Sequence, residues 1–154
     1  MALKHALMAA AMAMAAMPAA AQISLTAPKP NLAKPFTELD LFGMWAANCM
    51  APASQANPYI NWTGDRNGAV SRQLLMGPDM ISQVATVTAA ERVGVSQLRV
   101  VIGRDAGKAD AVIEVKDKKW RVLSAHAPDG KVVAADGVYT GDRKPTAWLA
   151  RCRS

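Results

Sequence analysis

The sequence predicts an all-β single domain: one antiparallel barrel of about eight strands, with a β-sandwich as the alternative. Three observations carry this prediction. Apolar and polar residues alternate with period two over Leu98–Ile102, Ala111–Lys116 and Trp120–Ser124, at a spacing of about 12 residues, the mark of a meander. Short turn signals separate such segments: Asn67-Gly68, Gly77-Pro78, Asp117-Lys118, Asp129-Gly130 and Asp136-Gly137. Finally, the two cysteines, Cys49 and Cys152, bracket almost the whole patterned region. A sheet of this size must manage its edges, either by closing or by splitting into two layers, and a bridge between first and last strands suits both.

The segment before the pattern reads as an export signal. Lys4 and His5 form a short polar start, Ala6–Met17 is apolar, Pro18 breaks the run, and Ala19-Ala20-Ala21 offers small residues for cleavage. The apolar run is shorter than the roughly 20 residues that cross a bilayer. Residues 1–21 are therefore expected to be a signal peptide, with no cysteine after the cut for a lipid anchor and no transmembrane segment in the mature chain. Residues 22–35 hold Pro28, Pro30 and Pro35 and read as an extended tether. Residues 36–154 form the single β domain. Within it, Phe36–Phe42 suits one helical turn with Thr37 as its N-cap. Gly43 ends that turn and opens a strand carrying Trp45, Ala47 and Cys49 on one face.

Export fixes the reading of the cysteines. In an oxidising compartment, the periplasm or the medium, Cys49 and Cys152 are expected to form a disulfide. Removing Lys4 lowers the formal net charge from +6 to +5. The excess gathers late, at Lys116, Lys118, Lys119, Arg121, Lys131, Arg143, Lys144, Arg151 and Arg153. These residues are either solvated strand faces and a frayed tail, or a surface for anionic lipid, acidic polysaccharide or an acidic protein partner.

Gly43-Met44-Trp45 after a short helical turn resembles the Gly-x-Trp signature of lipocalin-like barrels. That resemblance implies a Trp45 that plugs the closed end and an Arg151 from the last strand that packs across it. A wider resemblance runs through Trp45-x-x-x-Cys49, Ala51-Pro52, Asn57-Pro58, Trp120-Arg121-Val122-Leu123, Asp129-Gly130, Asp136-Gly137-Val138 and Pro145-Thr146-x-Trp148-Leu149-x-Arg151-Cys152. It is to a class of small exported proteins found mainly in alphaproteobacteria. It implies an exported, disulfide-closed single domain and implies no activity.

Signals for chemistry are sparse. The mature chain has one histidine, His126, beside Ser124, and no Gly-x-Ser-x-Gly elbow, so no catalytic residue is expected. No cofactor is expected, although a metal ion is possible. Asp129, Asp136 and Asp142 recur at turns, and Asp105 and Asp110 flank another, the oxygen donors a hard cation takes if they converge. Lys118-Lys119-Trp120-Arg121 is too short a basic-aromatic run to predict nucleic-acid binding. Trp45, Trp62 and Trp120 either line a ligand space, with Arg151, or simply form the core. The expectation is an exported, non-catalytic accessory protein that binds a small molecule or an acidic protein partner. The alternative is a surface metal-binding or metal-delivery protein built on the turn carboxylates.

Overall fold

The computed structural model describes residues 30–152, except Asp79, Asp105 and Ala106. The expected signal peptide and residues 22–29 of the expected tether lie outside the described residues. A short helix α1 (Ala33–Glu38) precedes ten strands: β1 (Gly43–Ala46), β2 (Tyr59–Gly64), β3 (Val70–Gly77), β4 (Met80–Gly94), β5 (Gln97–Arg104), β6 (Gly107–Lys116), β7 (Lys119–His126), β8 (Val132–Ala135), β9 (Val138–Tyr139) and β10 (Leu149–Arg151).

Strands β1 to β7 pair in sequence order, and β10 fits between β1 and β7, closing an eight-stranded antiparallel barrel. The closing registers are Trp45 with Arg151, and Trp120 with Leu149. β7 therefore has two partners on one side. Its first residues pair with β10, while Ala125 and His126 pair with β8, which with β9 forms a flap beyond the barrel. The branch begins at a register shift, where Val112 faces Ser124 but Ile113 faces Val122, leaving Leu123 as the extra residue. The freed Leu123 carbonyl accepts the Gly137 N–H (2.7 Å), and the buried Thr146 hydroxyl donates to Val122 O at 2.6 Å. The bulge is thus repaired by the flap it releases.

Two local expectations are corrected. Thr37 does not cap a helix. It lies inside α1, where its hydroxyl donates to Ala33 O (3.1 Å), because the helix starts three residues earlier than expected. Pro35 permits this early start, since a proline in the first turn loses an N–H that would have no helical partner. Leu32 and Ala33 pack against the core, so the folded unit takes in residues that the proline spacing assigned to a tether. The first strand also ends at Ala46, short of Cys49, which lies in a turn that folds back toward β10.

The alternation read from sequence gives the interior. Trp45, Trp62, Val70, Ala85, Val87, Leu98, Val100, Ile102, Ile113 and Trp120 form one buried cluster with Phe36 and Leu41. Phe36 enters from α1 and lies 5.1 Å from Trp62, so the helix stoppers one end of the barrel. Cys49 and Cys152 are bonded, with Cα atoms 5.2 Å apart and a sequence separation of 103. Replacing both by Ser should lower the unfolding free energy by about 2–5 kcal/mol in denaturant melts, as expected for a cross-link closing so long a loop. Equal midpoints would show that strand pairing alone holds the seam.

Candidate functional site

Three tryptophans meet inside the stoppered end. The ring centroids of Trp45 and Trp120 are 6.5 Å apart, and those of Trp62 and Trp120 are 6.1 Å apart. Each indole is only 2 % exposed, so each N–H must find an acceptor inside the protein or remain without one. Their fates differ. Trp45 Nε1 donates to Leu41 O at 2.8 Å. Trp62 Nε1 and Trp120 Nε1 have no acceptor among the described residues, although an indole nitrogen can only donate.

Trp45 owes its acceptor to the chain that leads into β1. Asp40 takes a left-handed conformation (φ 53°) that turns the helix exit, and the Leu41 carbonyl then lies under the indole. Arg151 completes this corner: its guanidinium lies 4.9 Å from the Trp45 ring centroid, bonds the Asp40 carbonyl and pairs with Asp40 Oδ1 at 2.8 Å. Arg151 thus packs across Trp45. Both side chains are spoken for by the fold.

Around Trp62 and Trp120 the barrel wall is mixed. Trp62 faces Arg72 across the β2–β3 register, and Arg72 donates to Gln83 Oε1 at 2.9 Å. Sequence reasoning passed over Arg72. The signal was present, because Val70, Arg72 and Leu74 share a parity and two of the three are apolar.

Two of the turn carboxylates have local partners. Asp129 accepts the Lys131 N–H (3.0 Å), and Asp142 accepts the Lys144 N–H (3.1 Å) and pairs with Lys144 Nζ at 3.5 Å. The Lys144 backbone N–H, ahead of the side chain, holds the Asp142 carboxyl below its ordinary pKa. Asp136 heads its turn with φ 51°. Asp105 lies outside the described residues. Among the described residues no three His, Cys, Asp or Glu side chains gather as a metal site. His126 faces Asp110 across β6–β7, but Asp110 is taken by Arg99, whose Nε donates to its Oδ2 at 3.0 Å.

No protein-family model, curated protein or solved structure matches this chain. Any functional reading therefore rests on the residues themselves.

The hydrogen bond from Arg99 holds the Asp110 carboxyl below the ordinary carboxylate range, against a smaller desolvation effect. A depressed folded pKa contributes stability above the unfolded value, and the contribution disappears as pH falls through the folded value, below about pH 4. NMR titration of the Asp110 carboxyl should show its midpoint moving up in Arg99→Gln. An unmoved midpoint would mean the pair does not persist in water.

Proposed function

We propose that this is an exported, non-catalytic binding protein whose barrel interior takes a small, largely apolar molecule bearing a hydrogen-bond acceptor. One observation carries the reading: Trp62 and Trp120, neighbours in the core, each bury an indole N–H without a partner. An unmet buried donor costs about 1–3 kcal/mol. Two of them side by side make poor sense for folding alone, and good sense as a preset pair of donors for a carbonyl, hydroxyl or carboxylate oxygen. A barrel of about eight strands is just wide enough to be filled by side chains or to hold one small ligand. Apolar walls from Val87, Val100 and Ile102 suit the remainder of such a molecule.

The compartment belongs to the same proposal. The Cys49–Cys152 bond and the apolar leader support a protein that works outside the cytoplasm. Among the described residues no helix is long and apolar enough to cross a membrane.

The probe that tests the interior is prodan, a naphthalene ketone whose emission moves to the blue in apolar surroundings. Saturable one-to-one binding with a blue shift and quenching of tryptophan emission is expected. Trp62→Phe and Trp120→Phe should each weaken it by about 2- to 12-fold, the worth of one net hydrogen bond. Absence of saturable binding, or equal affinity in wild type and both variants, would remove the proposal.

A further inference from the structure

The outer wall of the barrel is electrically lopsided. On β2–β4 the outward residues include Asn61, Gln73, Val84 and Thr86, with Asn61 bonded to Gln73 at 2.9 Å and no charge among them. On β6, β7 and the turn between them stand Glu114, Lys116, Asp117, Lys118, Lys119 and Arg121. Trp148, the one tryptophan outside the core cluster, lies beside them and is half-buried.

The β6–β7 turn breaks two local rules at once. Asp117 and Lys118 are both left-handed, with φ values of 51° and 59°. This is the two-residue turn that favours Asn-Gly, yet Lys118 stands where glycine fits best. The pair closing the turn is Lys116 opposite Lys119, and like charges directly opposite each other repel. None of these three lysines makes an ion pair among the described residues. Violations that cluster without internal compensation mark places where something outside the fold supplies it.

Beside that turn is a cleft of about 270 Å³ lined by Lys116, Asp117, Lys119 and Trp148. The Trp148 ring is held in place: the Arg121 guanidinium lies 4.7 Å from its centroid, and Arg121 is itself paired with Glu114 at 2.9 Å. Gly137 presses on the same guanidinium, since a Cβ there would come within 2.7 Å of Arg121 Nη1. The result is a rigid aromatic surface with two cations at its edge. At this volume, under the roughly 300–1,000 Å³ of pockets that engulf a whole ligand, the cleft suits one unit of a longer chain.

We propose that this cleft binds an anionic polysaccharide, one uronate-type ring at a time, with the sugar face on Trp148 and its carboxylate between Lys116 and Lys119. The aromatic face takes the C–H side of a sugar ring, and the paired lysines lose their mutual repulsion when a carboxylate stands between them. Asp117 lies at the rim, where it can accept from a sugar hydroxyl. The site is independent of the barrel interior.

The test measures retention of the intact protein on polygalacturonate, on neutral dextran and on poly-L-glutamate of matched charge. Binding to polygalacturonate that falls with salt, no binding to dextran and at least ten-fold weaker binding to polyglutamate are expected. Trp148→Leu should weaken polygalacturonate binding about ten-fold. Lys116→Gln with Lys119→Gln should weaken it as much and flatten its salt dependence; both are exposed, so this variant keeps the fold even if Trp148→Leu does not. Equal affinity for polyglutamate would show an acidic-polypeptide surface instead and overturn the proposal, as would unchanged binding in the lysine variant.

Discussion

Closure of the barrel depends on the corner where Arg151 lies over Trp45. The residue that ends the last strand is the register partner of the first tryptophan, so stacking and strand pairing are satisfied by one alignment. A slip of one residue in β10 would turn Arg151 to the opposite face, away from Trp45. The same alignment brings the Cys152 N–H to the Met44 carbonyl at 2.8 Å and its sulfur to Cys49. Each noncovalent piece is small: a half-exposed cation–aromatic contact contributes about 0.5–1 kcal/mol and an exposed ion pair about 0–1 kcal/mol. The disulfide is the larger stabilising element, and the corner supplies the geometry that lets it form.

That corner also explains why the three core tryptophans are unequal. Trp45 receives the Leu41 carbonyl because the helix exit is forced to turn at Asp40. Trp62 and Trp120 stand on β2 and β7, and no acceptor among the described residues reaches their N–H groups. One end of the barrel is thus closed by satisfied groups, and immediately inside it lie two donors in reserve. Interior and exterior then divide the work. In the proposed division, the interior would offer donors to an acceptor-bearing small molecule, and the outer turn of β6 and β7 would offer lysines and an indole face to a charged chain.

The architecture was largely legible in the sequence because a half-buried strand writes its burial as period-two alternation. Leu98, Val100, Ile102, Ile113 and Trp120 stand at alternate positions of such strands, and all are buried. The turn pairs set the hairpins for the same reason: Asp65 caps the Asn67-Gly68 turn by accepting from the Asn67 and Ala69 N–H groups. What resisted reading were the nonlocal facts. Phe36 as the stopper depends on where α1 docks, and the proline count hid the helix start. β4 runs on through Glu91 and Arg92 to Gly94, with Glu91 in register with Arg99 of β5. The site was less legible still. Nothing local distinguishes Trp45, which has an acceptor, from Trp62 and Trp120, which do not. The Trp148 cleft needs β7 and the segment before β10 side by side, a contact separated by a long stretch of chain.

The central claim is that the Trp62 and Trp120 donors serve something other than the fold. Its most direct test is to replace each of these residues by β-(3-benzothienyl)alanine, in which sulfur takes the place of the indole N–H at nearly unchanged shape. The unfolding free energy of the ligand-free protein should stay the same or rise, because a buried donor without a partner gives folding nothing. A loss of about 1–3 kcal/mol at either position would show that the N–H is already bonded in the folded protein, and the claim would fall.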